Sequence, residues 1–570
     1  MNATKIKYLS ILILCLFTSC EWFLDESPRG VLNEDELNTE EQAEKLVIAA
    51  YSCLGNDNTT APQHLWVYGD LRGGDAYKGG QGTQDQVSFH YYETFYLLRT
   101  NDDWLASKWY RLYVGVGRAN KALRVLNNLN DFPNKKKRIA EMRFLRGHFY
   151  FELKTLFKLV PYIDETVPSE DYSKVSNREF TDIELWDKII EDFRFAMDNL
   201  PEDNIEIGRS NHWVAKAYLA KTYLYSAYEQ NEKHEVIKIN QDRLNYVIDY
   251  TDQVITKSGK SLARDFSDNF RWATQNGSES VFAVQYSYDD GTLYNRGDWG
   301  TKLNYPMGDV YGCCAFHAPS QNLVNAFRTV NGLPDFVNYN NVNILYPNDL
   351  KSNTIDPRLL HSVAIVDLPY KYNPDLLFEE NWLRDPGTYG RFLSMKEVEL
   401  PDCPCLKKQG PFFITALNRD LIRLDDVMLW KAEALIQKAD GSGLEEARTI
   451  INNIRRRAMT STDKLKDASG NPTGNFDVKE YPMTGWTQEY AFKALQWERR
   501  LEFALEGYRF FDLVRWGIAD ITLNQYFAKE KSRRNYLAEA KFTKNRDEYF
   551  PIPKVQIDLS KNLYQQNHSW

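Results

Sequence analysis

Apolar residues recur three and four positions apart toward both ends of this 570-residue chain, and that period constrains its fold more than any other feature. Met142, Leu145, Phe149, Leu153 and Leu156 paint one face of a helix. Val214, Ala217, Tyr218, Leu224, Tyr225 and Tyr228 paint another, and Met428, Ala432, Leu435 and Ile436 a third. Small residues punctuate the same stretches: Gly115, Gly117, Ala119 and Ala122, then Gly147, then Ala215, Ala217 and Ala220, then Ala432, Ala434 and Ala447. Small side chains let paired helices approach closely, as in stacked helix-hairpin repeats, although no strict period of about 34 residues is readable. The expectation is a mainly α, helical-repeat scaffold.

Between Lys260 and Pro411 the texture changes to Gly, Pro, Asn, Asp and aromatic residues, with short strand-like pieces such as Ser280 to Tyr286. We divide the chain accordingly into 1–19, a signal; 20–259, helical; 260–411, a loop-rich variable insertion; and 412–570, helical again, the last three forming one large domain. Long ordered loops usually carry binding surfaces, so function is expected in the insertion. The formal charge of −9 opposes a basic footprint and argues against nucleic acid as a partner. With 35 Tyr and 14 Trp against 8 His and 7 Cys, the composition favours flat amphipathic surfaces over metal or acid–base chemistry.

Lys5 and Lys7 precede the apolar run Tyr8–Phe17, which has the length of an export-signal core and is too short to span a bilayer. It ends at Thr18-Ser19-Cys20, small residues before a thiol, the arrangement a lipoprotein signal peptidase needs. Cys20 is expected to carry lipid and begin the mature chain. Cys53, Cys313, Cys314, Cys403 and Cys405 then remain in an oxidising compartment. The simplest pairing is Cys313–Cys314 and Cys403–Cys405 with Cys53 left over; a zinc site is the alternative, disfavoured because neither pair has ligand spacing.

Three later stretches are motif-like. Trp497–Gly517 reads WERRLEFALEGYRFFDLVRWG; Arg423–Ala458 contains LWKAEAL and INNIRRRA; the terminus carries Phe550-Pro551-Ile552-Pro553 and then Gln566-Asn567-His568-Ser569-Trp570. Together with AEMRFLRGHFYFELKTLFKLVP at 140–161, they resemble the SusD/RagB family of surface nutrient-binding lipoproteins, with Ser569 in place of the usual glycine. The resemblance implies a stack of tetratricopeptide-like helix pairs, a glycan ligand, a SusC-like TonB-dependent outer-membrane transporter as partner, and an outward-facing, lipid-anchored position on the outer membrane. It implies neither catalysis nor a cofactor. Read as residues alone, Glu498, Glu502 and Glu506 beside Arg499, Arg500 and Arg509 suit ion pairs that fasten helices. The alternatives are a glycoside hydrolase, which needs two acids converging across a cleft, and a helical-repeat adaptor for other proteins.

Other local patterns are weaker. Gly259-Lys260-Ser261 lacks the first glycine of a phosphate loop and reads as a helix end, Gly73-Gly74 and Gly79 to Gly82 as a flexible loop, and Asp289-Asp290-Gly291 as a solvated turn. No metal is expected. A neutral sugar offers C–H faces that stack on Trp and Tyr, and hydroxyls that pair with Asp and Arg. Trp66, Trp104 and Trp299 sit among Gly and polar residues where a ring can stay exposed, and Asp70, Arg384 and Tyr389 lie in similar settings. A disulfide at Cys313–Cys314, near Trp299 and Tyr311, would form a rigid apolar bump suited to a sugar face.

Overall fold

The computed structural model describes residues 37–55, 64–203, 206–289, 291 and 296–570; the signal and Cys20 lie outside them. The long helices are α1 (Glu40–Tyr51), α2 (Asp103–Asn128), α3 (Lys135–Phe157), α4 (Asp182–Asn199), α5 (His212–Ala227), α6 (Gln241–Lys257), α7 (Leu424–Ile436), α8 (Leu444–Thr460) and α9 (Gln488–Glu502). Each packs on the next from α1 to α9. The stack is thus continuous across the interval between α6 and α7, and the chain is a helical-repeat protein.

Local chemistry starts the helices where the sequence places them. Asp102 accepts from the Leu105 amide at the head of α2, Thr181 and Glu184 form a capping box on α4, and Asn211, Asn240 and Thr487 cap α5, α6 and α9. The small residues set the spacing: a methyl on Gly115 would lie 2.6 Å from the Phe149 ring and one on Gly147 3.0 Å from Phe193. Gly117 faces open space and plays no such part.

The motif residues are structural. Glu433 of α7 accepts from Tyr228 (2.7 Å), from Trp516 Nε1 (2.9 Å) and from Arg515, so it joins the helix stack to the C-terminal turn. Asn567 donates to the Phe157 and Phe550 carbonyls, both at 2.9 Å, and fastens the terminus to the end of α3. Ser569 has φ +65°, a left-handed conformation that favours glycine, which explains the residue usual there. Ion pairs do fasten helices, both within the 497–517 motif and from it to other segments: Arg358 bonds Glu498 (2.6 Å) and Glu502 (2.7 Å), Arg455 bonds Glu498 (3.0 Å), and Arg499 bonds Asp426 (2.7 Å) and Asp512 (2.8 Å).

Among the described residues the strands pair only two by two. The pairs used below are β1 (Ala76–Gly79) with β3 (Phe316–Pro319), Gly79 opposite Phe316; β2 (Ser280–Val284) with β6 (Arg419–Arg423); and the hairpin of β4 (Leu406–Gln409) and β5 (Phe412–Thr415). A second, smaller core of Tyr305, Tyr311, Tyr370, Phe378, Trp382 and Phe413, among others, sits apart from the main one. It gives the loop-rich portion a rigid interior of its own.

Candidate functional site

The segment from Asp298 to Phe316 crosses the second core, flanked by the β4–β5 hairpin and by the chain around Trp382. Its first turn is built inward. Asp298, buried, contacts His64 Nε2 at 2.7 Å and accepts from the Gly300 amide (2.7 Å) and the Thr301 hydroxyl (3.3 Å). Burial pushes its carboxyl up, but His64, Arg419 and the Gly300 hydrogen bond outweigh it and hold it below the usual range. A methyl on Gly300 would lie 1.8 Å from His64 Nε2, so the turn admits no side chain there. The same geometry turns Trp299 outward, half-buried, with the Lys302 amine 5.4 Å from its ring and 5.3 Å from the ring of Phe412 on β5.

Farther along, Gly312 approaches the Pro411 carbonyl of the hairpin turn, and Cys313–Cys314 follows, disulfide-bonded across a cis peptide. Cys313 is half-buried and Cys314 buried. Cys403–Cys405 is the second disulfide, and Cys53 lies buried with its thiol 3.6 Å from the Ala49 carbonyl. On the far side the Gly80 amide donates to Ala315 (2.9 Å), and a methyl on Gly80 would meet the Phe316 ring at 2.4 Å. The loop it begins is held by Tyr389, whose hydroxyl donates to Gly82 (2.8 Å), by Asp385 accepting from the Gly82 amide (3.1 Å), and by an Arg384–Asp85 ion pair at 3.2 Å.

The structure therefore gathers Trp299, Tyr311, Cys313, Cys314, Arg384 and Tyr389 into one region, but not all as contact groups. Tyr311 is fully buried, its hydroxyl donating to Glu399 at 2.6 Å, and Tyr389 is only 3 % exposed. Trp66 and Asp70 correct the expectation most clearly. Residues Trp66–Asp70 form a buried π-helical turn rather than an open loop. Trp66 packs 5.0 Å from His317, and Asp70 bonds His317 (3.0 Å) and the Gly507 amide (2.9 Å). Burial pushes Asp70 up to about 6 despite the His317 bond. Both residues form the floor beneath β3 and are closed to a ligand. Trp104 lies in the first turn of α2, half-buried against Phe89 at 5.2 Å. The glycines at 73–74 and 79–82 are likewise not a loose loop, since Gly73 abuts Arg509 and Gly79 pairs in β1.

Trp299, Cys313 and Arg384 remain accessible. Sequence reasoning missed Lys302, Phe412 and Asp85. A cation three residues after a turn tryptophan was the available signal for Lys302; Phe412 joins the site only through contact between distant segments. Glu279, Asp425 and Glu502 bring carboxylates within 4.8 Å of one another, the one such cluster found among the described residues. Arg457 already binds Glu279 (2.8 Å) and Glu502, and Arg358 binds Glu502, so the cations there are guanidinium groups.

The family model for the SusD family matches residues 415–570, and a second, "Starch-binding associating with outer membrane", matches residues 22–224, so that together they take in more than half of the chain. The chain belongs to the SusD/RagB family. Among SusD-like relatives, a "SusD-like protein" of Bacteroides ovatus is 24% identical over 523 residues, covering 88% of this chain and 80% of its own length. Of solved structures, a SusD homolog from Bacteroides thetaiotaomicron superposes with TM-score 0.70 at 18% identity, covering 94% of this SusD-like chain and 98% of its own. Surface glycan-binding protein A from the same species, in complex with laminarihexaose, gives TM-score 0.65 at 20% identity, covering 93% and 100%. The family models leave 225–414 unmatched, and most of the accessible face lies there.

Proposed function

We propose that this SusD-like protein binds oligosaccharide or polysaccharide at the outer membrane and passes it to a SusC-like TonB-dependent transporter, held outward by lipid on Cys20. The observation that carries the binding step is Trp299, a half-exposed ring fixed by the His64–Asp298 pair at the edge of the β4–β5 hairpin. Such a ring stacks on the C–H face of a sugar without any charge change. Asp298 and Asp85 are tied to His64 and Arg384, so neither is free to serve as a hydrolytic acid. Support for a glycan comes also from the structural neighbour solved in complex with laminarihexaose.

A glycan array followed by calorimetry tests it. Trp299→Ala should weaken binding tenfold or more, since stacking on an aromatic ring is worth about 1–3 kcal/mol by analogy with bases and 1.4 kcal/mol is a factor of ten. No new reducing ends should appear. Unchanged affinity in the variant would show that the ligand sits elsewhere, and hydrolysis would favour the enzyme reading.

Anchoring and partnership have their own test. Cys20→Ala should release the chain or leave it unprocessed, and the native chain, extracted in mild detergent, should co-purify with a large barrel protein. A Cys20→Ala chain still anchored, or a native chain recovered alone, contradicts that part.

A further inference from the structure

Lys302 is a half-buried ammonium that no charge among the described residues answers. Among the described residues its amine has no carboxylate and no hydrogen-bond acceptor within reach, only the faces of Trp299 and Phe412. The acid nearest in sequence, Asp298, is turned inward onto His64, Gly300 and Thr301. Neighbouring cations differ: Arg384 pairs with Asp85 at 3.2 Å and Lys407 with Asp289 at 2.6 Å. Burial alone pulls the Lys302 amine down, with no opposing charge to raise it. Attraction to two ring faces offsets part of the desolvation. A neutral sugar stacked on Trp299 would cover the ammonium further and return only hydroxyl hydrogen bonds, with no opposing charge to offset the lost hydration. A ligand that brings an anion reverses the sign, replacing lost water with a charge-assisted hydrogen bond.

We infer that the Trp299–Lys302–Phe412 corner selects an anionic sugar, one carrying a carboxylate or a sulfate ester beside the ring that stacks on Trp299. This rests on the glycan-binding reading above and narrows it to a ligand class. An ammonium is a compact point charge without the fork that favours carboxylate geometry, so the two anions share one chemistry here.

The test uses the full chain in detergent and charged polysaccharides, each paired with its neutral counterpart: polygalacturonate and alginate with their carboxyl-reduced forms, carrageenan with its desulfated form, and laminarin as a neutral control. At least one charged polymer should bind tenfold more tightly than its counterpart, uronates or the sulfate ester naming the source of the anion. Lys302→Met should abolish that preference and leave melting unchanged, while Lys302→Arg retains it. Preference that survives Lys302→Met, or equal binding of charged and neutral forms, overturns the inference and leaves glycan binding standing. Failure to bind any of the polymers, laminarin included, overturns the glycan reading as well.

Discussion

Gly69→Ala is expected to prevent folding to the native state. The added methyl would lie 1.8 Å from the Gly507 carbonyl oxygen and 2.4 Å from its carbon, backbone atoms with no rotamer by which to retreat. Gly507 holds φ +88°, and its own Cβ direction ends 2.6 Å from Leu65, so neither chain can rotate aside. Relief requires lifting the 66–70 turn away, which breaks the Asp70 bonds to Gly507 and His317 and uncovers Trp66 and Tyr68, both wholly buried. Ordinary overpacking costs about 1–3 kcal/mol; losing this contact exceeds that and approaches the roughly 5–15 kcal/mol that holds a domain together. Circular dichroism and thermal melting read it directly. A variant melting within about 2 °C of the parent shows that the contact is far looser than described.

Arg358→Met carries the second large effect. The guanidinium is wholly buried and bonds Asp356 (2.6 Å), Glu498 (2.6 Å) and Glu502 (2.7 Å), themselves wholly buried. Removing one partner of a buried ionic set typically costs about 3–5 kcal/mol because the remaining charges stay unsolvated. The loss should depend on pH. Burial raises the Glu502 carboxyl, but Arg457 and Arg358 overcome it and bring it down to about 2. In the parent, Glu502 therefore adds stability that is present above its unfolded value and fades only as pH falls toward 2. Without Arg358 its pKa rises, and the destabilisation seen at neutral pH should shrink on acidification. Denaturant titrations of both proteins at pH 7 and pH 4 measure this, and a gap of constant size would contradict the ionic account.

The helices were legible because their determinants are local. Three-and-four spacing, Asp102 and Thr181 at the caps, and Gly115 and Gly147 facing aromatic rings all operate within or between adjacent helices. The site was legible only in part. Trp299 is held outward by residues in its own turn, and its context of Gly and polar residues identified it. Trp66 has a similar context but the opposite fate, because Gly69 and Gly73 serve close approach to Gly507 and Arg509, more than 400 residues away. Tyr311 is expected near the disulfide bump and Tyr389 as a partner for sugar hydroxyls, yet each spends its hydroxyl on a backbone carbonyl and its ring on the interior. Lys302 and Phe412 meet only once the hairpin folds against the 298–316 segment, a relation that no local pattern encodes.

The contact between Gly69 and Gly507 also ties the candidate face to the far end of the sequence. β3, which bears the chain just after Cys314, pairs with β1, and the turn leading into β1 rests on Gly507. A growing chain thus makes Trp299 and Cys313 long before it makes the residue against which their foundation seats. Products that stop short of Gly507 would display the right side chains on an unset base, so a chain truncated before the 497–517 motif lacks the seat on which β1 and β3 rest.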